Sequence, residues 1–175
     1  FEDLRVLSSA GEALNPEVYN YFEDNLGLKI HDTYGLTEAA MIVNNYAGLD
    51  MEVKPGSMGR PSPGYEVELL DLETREPVET GEVGEIAAKP REWVLIDEYW
   101  GLPEKTEETF EDGWLLTDDL ARKDEDGYFW YEGRSDDVII SSGYRIGPFE
   151  VESSLMEHPI VAEAAVIGIP DDQRG

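Results

Sequence analysis

Two stretches of the chain combine acidic, small and hydroxyl-bearing residues at spacings that suit nucleotide-phosphate chemistry. In DTYGLTE (32–38), we predict a turn at Gly35 after a strand, with Thr37 and Glu38 at the start of a helix. A helix N-terminus offers free N–H groups to an anion, and a carboxylate beside phosphates can hold Mg²⁺. A structural alternative stays open, because a Thr N-cap followed by an acid explains the same residue types. The stretch SSAGEAL (8–14) follows a predicted strand, where open α/β sheets bind ligands, although an ordinary βα turn also accounts for it.

A third stretch, WLLTDDLARKDEDGYFWYEGR (114–134), is predicted to be a β-hairpin around the Asp126-Gly127 turn. The acids at 124–126 are interpreted as turn residues in contact with solvent. Asp119 is different, because an arginine, Arg134, is expected on the neighbouring strand. A carboxylate and an arginine on adjacent strands are suited to holding the hydroxyls of a ribose.

The fourth stretch, SSGYRIGP (141–148), is rich in small residues and glycine, which is typical of a loop whose backbone groups contact a ligand. The structural alternative is a loop in which Gly143 and Gly147 take positive φ and Arg145 pairs with a surface acid. Arg134 and Arg145 need a local explanation because cations are scarce: the 175 residues contain 40 Asp and Glu against 13 Lys and Arg.

The formal net charge of −27 at pH 7 argues against nucleic acid or anionic membranes as partners. Because the acids are scattered, life in concentrated salt is favoured over a specific cationic partner, and a halophilic source is expected. The absence of Cys excludes disulfides and thiolate metal sites, and His31 and His158 are too far apart for a local zinc motif. With no apolar run of about 18 residues and no signal-peptide pattern at the N-terminus, we expect a cytoplasmic protein.

The order of the elements predicts an α/β plus β fold. Residues 1–53 are predicted to be the end of an α/β parallel-sheet unit: a strand in LRVLSSAGEAL, a helix from Asn15 (N-cap) and Pro16 to Gly27, a strand in LKIHDTYG and a helix in TEAAMIVNNY. Short alternating runs such as YEVELLD, GEIAAK and GYFWYEG predict an antiparallel, barrel-like β unit over 54–135.

Residues 136–175 are predicted to begin a small α+β domain. PFEVESSLMEH is predicted to be a helix that buries Val151 and Leu155, and VAEAAVIGI a strand that ends at Pro170. We expect the chain to begin inside the first unit and to end inside the third.

Taken in order, AGEAL, DTYGLTE, GEVGEI and TDDLARKDEDGYFWYEGRSDDVIISSGYRIGPFEVE resemble the adenylate-forming superfamily of acyl-CoA synthetases, luciferases and nonribosomal peptide adenylation domains. The resemblance covers essentially the whole chain, and the stretch GYFWYEGRSDDVIISSGYRIGPFEVESSL (127–155) is most similar to medium-chain acyl-CoA synthetases. It implies an enzyme that activates a carboxylic acid with ATP and Mg²⁺ to acyl-AMP and transfers the acyl group to CoA. The implied partners are those small molecules, and no oligomeric state is predicted.

The resemblance also implies roles for individual residues. Those near the nucleotide are Gly11, Glu12 and Ala13, which border adenine and the acyl pocket; the wall formed by Asp32, Thr33, Tyr34, Gly35 and Leu36; Thr37 at the α-phosphate; Glu38 at Mg²⁺; and Asp119 with Arg134 at the ribose. Those near the second substrate are Asp136 as a domain hinge; Ser142, Gly143 and Tyr144 in a CoA-contacting loop; Arg145 close to substrate; and Arg174 at CoA.

The chain departs from the family pattern in two respects. The family usually reads Thr-Gly-Asp-Leu where this chain has Asp118 in place of the glycine. The family's phosphate loop and adenylation lysine are not found in the sequence, so we expect an internal fragment that is inactive alone. Two alternatives remain open: an adenylation domain for another acid (acetate, an aryl acid or an amino acid) or another acceptor, and a non-catalytic acidic binding module.

Overall fold

The computed structural model describes residues 3–49, 51–89, 95–158, 160–171 and 174. Its strands are β1 (Leu7–Ala10), β2 (Ile30–Leu36), β3 (Ala40–Asn44), β4 (Ser57–Pro61), β5 (Val67–Leu70), β6 (Val83–Ala88), β7 (Phe110–Glu111), β8 (Trp114–Lys123), β9 (Phe129–Arg134), β10 (Ile139–Ser141) and β11 (Tyr144–Ile146). Its helices are α1 (Pro16–Leu26), α2 (Pro103–Thr109) and α3 (Pro148–Met156). Nine strands form one sheet in the order β1-β2-β3-β4-β9-β8-β6-β5, with β7 paired to β8, and β10 and β11 form a separate hairpin.

The unit β1-α1-β2 is confirmed as predicted. The side chain of Asn15 accepts a hydrogen bond from the Glu17 N–H at 2.8 Å, and Gly27 ends α1 in the left-handed conformation with φ 65°. Strands β1 and β2 are parallel, and α1 buries Tyr19 beside Ile30 in a small apolar cluster. This crossover brings the carboxyl ends of both strands to the same edge of the sheet.

The helix predicted over TEAAMIVNNY does not form. Residues 37–39 are a turn, after which β3 runs antiparallel to β2, and the turn is closed by the Ala39 N–H donating to the Leu36 carbonyl at 3.1 Å. The residues that follow include Ile42 and Val43, which are fully buried; such β-branched side chains favour a strand inside a sheet over a helix. The parallel α/β pattern therefore ends at β2.

Gly35 lies within β2 and not in a turn, which corrects a second expectation. A Cβ at this position would meet the Ala40 carbonyl and would lie 2.7 Å from the Met41 Cα. Only glycine allows β3 to approach β2 this closely, at the point where the register between the two strands shifts.

The antiparallel part of the sheet is confirmed, and it is open rather than closed into a barrel. Among the described strands, β1 and β5 form the two edges. The ten-residue β8 pairs with both β6 and β9, and the core is formed by fully buried side chains such as Ile86, Leu115 and Phe129. The β8–β9 hairpin turns at Asp126 and Gly127, as predicted, with Gly127 at φ 79°.

The last part of the chain is less regular than predicted. Helix α3 forms, but Leu155 is 47% exposed, and Gly147 has φ −74° and acts as the residue before the helix. Residues 161–170 form no strand. The Val166 N–H instead donates to Glu152 Oε1 of α3 at 2.8 Å.

Candidate active site

Most of the predicted nucleotide residues line one cavity of about 550 Å³. The cavity lies between the ends of β1 and β2, the open end of the β8–β9 pair, and α3 with the segment after it. Its lining contains Gly11, Glu12, Ala13, Asp32, Thr33, Tyr34, Gly35, Asp119 and Arg134, together with Met58, Tyr131, Phe149, Glu152, Met156, Glu163 and Ala164. Three other predicted residues, Leu36, Thr37 and Glu38, are not part of the lining.

The wall formed by β1 and β2 is set by their parallel register, which places Ser9 beside Asp32 and Ala10 beside Thr33. The Thr33 hydroxyl donates to the Ser9 carbonyl at 2.8 Å and fixes the two strand ends together. Asp32 is 5% exposed, and its Oδ1 has no hydrogen-bond partner among the described residues. Burial raises the pKa of Asp32 to about 6, although backbone N–H groups and the Ser9 hydroxyl oppose the shift.

Asp119 is held between two tyrosines. The Tyr34 hydroxyl donates to Asp119 Oδ2 at 2.6 Å, and the Tyr131 hydroxyl donates to Oδ1 at 3.4 Å. Burial raises the pKa of Asp119, an effect that the hydrogen bond from Tyr34 and the positive charge of Arg134 partly offset. Burial and the Asp119 charge also raise the pKa of Tyr34, so this phenol stays protonated and remains a donor. Asp119 is therefore a partly desolvated carboxylate whose hydrogen-bond donors, the hydroxyls of Tyr34 and Tyr131, are neutral.

Arg134 lies directly opposite Asp119 in the β8–β9 register, as the hairpin prediction required. Its Nη1 is 3.7 Å from Asp119 Oδ1, whereas its Nε and Nη2 donate to the two carboxylate oxygens of Asp136 at 2.9 and 3.2 Å. The strong contact of Arg134 is thus to the predicted hinge residue. This hydrogen bonding raises the pKa of Arg134 and lowers that of Asp136.

Asp118 stands where the resemblance implies a glycine, and its backbone adopts the left-handed conformation that favours glycine. Its φ is +60°, a region that costs a residue with a Cβ on the order of 1 kcal/mol. The Asp118 N–H donates to Glu85 Oε1 at 2.9 Å, and Glu85 is buried and paired with Arg75 at 2.6 Å. The backbone before Asp119 is thereby fixed from the opposite side of the strand.

Glu38 lies at the β2–β3 turn, outside the cavity lining. With no helix at Thr37, the predicted helix N-terminus for a phosphate is absent, and Thr37 is an exposed turn residue. Glu38 is anchored by a distant segment: its carbonyl accepts from the Ile96 N–H at 3.0 Å, and its Oε1 accepts from the Tyr99 hydroxyl at 2.7 Å.

The surroundings of Glu38 are compatible with one mode of Mg²⁺ binding. In the described ranges, no group of three or more His, Cys, Asp or Glu side chains could hold a metal ion. Mg²⁺ is commonly bound through one or two carboxylates together with substrate phosphates and waters. A single carboxylate with one oxygen engaged by Tyr99 fits that mode and does not fit a site made by protein ligands alone.

The predicted CoA-contacting residues lie together but away from the cavity. Ser142 and Gly143 form the tip of the β10–β11 hairpin at φ 53° and 84°, and the Ser142 N–H donates to the Arg174 carbonyl at 2.7 Å. Tyr144 is 75% exposed. Arg145 lines a different cavity, of about 280 Å³, with acids that include Asp71, Glu73, Glu132 and Glu150. Arg134 and Arg145 therefore line separate cavities.

Sequence reasoning missed several residues of the site. Tyr131 could have been found by counting the hairpin register back from the Asp-Gly turn, which places it on β9 opposite Ala121 of β8. Its ring also packs edge-on against Phe149 of α3, with ring centres 5.4 Å apart. Glu152, Met156 and Glu163 enter the cavity only through the tertiary position of α3 and the segment after it. No local pattern connects Tyr99 to Glu38.

Among the helices of the described residues, none has the length and apolar character needed to cross a membrane.

Comparison with known proteins gives two family matches: AMP-binding enzyme over residues 1–100, and AMP-binding enzyme C-terminal domain over residues 150–175. The chain is 48% identical to the mitochondrial acyl-coenzyme A synthetase ACSM3 of Rattus norvegicus over 100% of its own length and 30% of that protein. It is 51% identical to 4-hydroxybutyrate–CoA ligase 1 of Metallosphaera sedula over 99% of its own length and 31% of that protein.

A solved structure gives the same result at the level of the fold. The anthranilate CoA ligase AuaEII in complex with anthranoyl-AMP matches with a TM-score of 0.88 and 38% identity, over 99% of this chain and 33% of that one. The chain thus spans about a third of the length of the relatives it matches. The first family match alone covers more than half of its residues, and the chain belongs to the AMP-binding enzyme family.

Proposed function

We propose that the full-length protein containing this chain is an ATP-dependent acyl-CoA synthetase. The carboxylate of an organic acid attacks the α-phosphorus of ATP and pyrophosphate leaves; the CoA thiolate then attacks the acyl carbonyl and AMP leaves. The observation that carries this proposal is the single cavity that joins Asp32, Tyr34, Asp119 and Arg134 in a chain of this family. The printed names of the relatives, a mitochondrial acyl-coenzyme A synthetase and a CoA ligase holding an acyl-AMP, support the same reaction.

In this proposal, the ribose hydroxyls donate to Asp119, whose carboxylate is partly desolvated and whose ion pair with Arg134 is long, at 3.7 Å. Arg134 supports the ribose side of the nucleotide once its contact with Asp136 loosens. Residues 11–13 and 32–35 would form the wall for adenine and the acid. Leu36 would extend this wall at the end of β2, and Thr37 would meet the α-phosphate from the turn that follows. A carboxylic acid of medium chain length is the proposed substrate, on the basis of the resemblance of residues 127–155 to medium-chain acyl-CoA synthetases.

Glu38 would hold Mg²⁺ in the metal–nucleotide complex, where the ion neutralises charge on the phosphates. The carboxylate contributes one oxygen ligand from the turn between β2 and β3. The remaining ligands would be phosphate oxygens and waters, as is usual for this ion.

Residues 1–53 and 54–135 are proposed to belong to the large domain and residues 136–175 to a mobile domain, with the hinge at Asp136. The hinge is supported by the end of β9 at Arg134 and by the match of the C-terminal family model to residues 150–175. The two half-reactions place different groups at the same carbonyl carbon, so a rotation would bring residues 142–145 and Arg174 to CoA.

The experiment is a pyrophosphate-release screen of the full-length protein against straight-chain acids of increasing length, aryl acids and amino acids, with and without CoA. We expect acid-dependent pyrophosphate release, with CoA thioester formed in equal amount when CoA is present. Release without thioester would point to another acceptor. Absence of release with every acid, in a protein that does not bind ATP, would support the non-catalytic binding module.

The acidic surface is proposed to be an adaptation to concentrated salt in the cytoplasm, where ATP and CoA are supplied. A charge of −27 on 175 residues repels itself, and at about 1 M salt the Debye length is only about 3 Å. Circular dichroism melts at KCl concentrations from molar to millimolar test this. The melting temperature is expected to fall steadily as the KCl concentration is lowered. A melting temperature that does not depend on KCl would mean that the acids serve another purpose.

A further inference from the structure

A segment remote in sequence from the β2–β3 turn holds the side chain of Glu38. The Tyr99 hydroxyl donates to Glu38 Oε1 at 2.7 Å, and the Ile96 N–H donates to the Glu38 carbonyl at 3.0 Å. Both backbone and side chain of Glu38 are therefore tied to residues about 60 positions further along the chain. Neither bond is needed to close the turn itself, which the Ala39 N–H closes on the Leu36 carbonyl.

Tyr99 is itself fixed by contacts with the start of α2. Its N–H donates to Thr106 Oγ1 at 3.0 Å, and its carbonyl accepts from the Leu102 N–H at 3.0 Å. The Lys105 ammonium lies 4.9 Å from the centre of the Tyr99 ring.

This arrangement leaves Glu38 with one oxygen engaged and one available. Oε1 accepts from Tyr99, and no hydrogen bond to Oε2 is formed within the described residues. A free glutamate samples many rotamers, and a partner on one oxygen removes most of that freedom before a cation arrives. Because the described residues supply no cluster of three ligands, a cation here depends strongly on the placement of a single oxygen.

We propose that Tyr99 is a positioning residue that orients the free oxygen of Glu38 toward the metal of the metal–nucleotide complex. The inference rests on the proposed function. It deepens that function by naming the group outside the ligand shell that makes a single-carboxylate site effective. Groups that orient a metal ligand through a hydrogen bond typically contribute 10- to 100-fold in metal affinity or activity.

The turn provides a matched control. The Tyr65 hydroxyl donates to the Ala39 carbonyl at 3.3 Å, one residue from Glu38, without touching the carboxylate. Tyr99→Phe and Tyr65→Phe each remove one phenolic hydroxyl bonded to neighbouring residues of the same turn. Only the first removes a bond to the proposed ligand.

The experiment is calorimetric titration of the full-length protein and both variants with ATP, at saturating Mg²⁺ and with Mg²⁺ removed by a chelator. For Tyr99→Phe we expect ATP binding with Mg²⁺ to weaken by about 10-fold or more, and binding without Mg²⁺ to stay unchanged. Tyr65→Phe should change neither value. Equal weakening with and without Mg²⁺, or equal effects of the two variants, would overturn the positioning role.

A double variant separates positioning from loss of stability. In a Glu38→Gln background, a positioning residue has nothing left to orient, so adding Tyr99→Phe should have no further effect on ATP binding with Mg²⁺. An effect that persists in that background would show that Tyr99 acts through the fold. If the unaltered protein binds ATP with no dependence on Mg²⁺, the proposed metal site fails; if it shows that dependence and Tyr99→Phe keeps it, only the positioning role fails.

Discussion

The two ends of the β8–β9 hairpin carry aspartates of opposite character. At the turn, Asp124 accepts from Lys54 Nζ at 2.6 Å, from the N–H groups of Asp126 and Tyr128 at 3.0 and 2.9 Å, and from the Trp130 indole at 3.3 Å. Although burial opposes it, the hydrogen bond from Lys54 and those from the turn lower the pKa of Asp124 to about 2. At the other end, Asp119 has two tyrosine donors and a raised pKa.

In a chain with acids along its whole length, a structural acid differs from a candidate ligand-binding acid in the partners of its carboxylate. A carboxylate whose lone pairs are filled by a cation and by turn N–H groups stabilises the fold and has little left for a ligand. A half-buried carboxylate whose neighbouring arginine is hydrogen-bonded to Asp136 is stabilised less by the fold, and a ligand that donates hydrogen bonds to it can stabilise it further. Residue type alone does not make the distinction.

The largest effect is expected for Asp119→Asn in the full-length protein. Exchange of a charged acceptor for a neutral one should reduce kcat/KM for ATP by about 30-fold, equivalent to about 2 kcal/mol for hydrogen bonds to a charged group. Pyrophosphate release measured over a range of ATP concentrations gives this value. Stability should change little, because a partly desolvated charge is removed together with its bonds. An unchanged kcat/KM would place Asp119 in the same class as Asp124.

Asp124→Asn should do the reverse: leave kcat/KM unchanged and lower the free energy of unfolding at pH 7 by about 1–2 kcal/mol. The native pKa of about 2 lies below the ordinary 3.8, so the charged form stabilises the fold. That contribution is present above about pH 4 and is lost as pH falls toward 2. Urea unfolding at fixed KCl, at pH 7 and pH 3, measures it. Glu125→Gln is the control, since the adjacent Glu125 is an exposed acid of the same turn.

Asp32→Asn should have the opposite sign to Asp124→Asn. With a native pKa of about 6, raised by burial from 3.8, the charged form of Asp32 opposes folding. Stability should therefore fall as pH rises from about 4 to about 6, and the variant should lack this fall. We expect a gain of about 1 kcal/mol at pH 8 and none at pH 4, measured by urea unfolding. A variant less stable than the parent at pH 8 would show that the Asp32 carboxylate holds the β1–β2 edge together.

Local signals were sufficient to predict the elements that bring Asp119 and Arg134 together in the cavity. Asn15 and Gly27 bound α1, and the Asp126-Gly127 turn sets a register that brings Arg134 opposite Asp119. These signals act over a few residues, within the range where sequence patterns are informative.

The structure of the β2–β3 turn, which carries Thr37 and Glu38, was not predictable in the same way. Thr37, Glu38 and the two alanines after them are the residues of a good helix start, and the helix is prevented by the closeness of β3 to Gly35 and by burial of Ile42 and Val43. Both causes are tertiary. The hydrogen bond from Tyr99 to Glu38 joins residues 61 positions apart, so no pattern of neighbouring residues predicts it.

The smallest effect, and the finest test of the comparison, concerns Asp118. At φ +60° it carries backbone strain next to Asp119, and its carboxylate is only 3.7 Å from Arg134 while its side chain is 62% exposed. Asp118→Gly should relieve the strain and raise the free energy of unfolding by about 0.5 kcal/mol, since the greater freedom of glycine in the unfolded chain offsets part of the gain. Its KM for ATP should stay within about threefold, because an exposed ion pair contributes less than about 1 kcal/mol.

Asp118→Asn separates conformation from charge, because Asn tolerates the left-handed region nearly as well as Asp and carries no charge. If strain matters, only the glycine variant gains stability. If the negative charge beside Asp119 matters, both variants gain equally, and the gain shrinks as KCl rises and screens the repulsion. Unfolding curves at low and molar KCl distinguish the two. A loss of stability in the glycine variant would mean that Asp118 contributes to the fold, and the boundary between the structural and functional ends of the hairpin would then lie between Asp118 and Asp119.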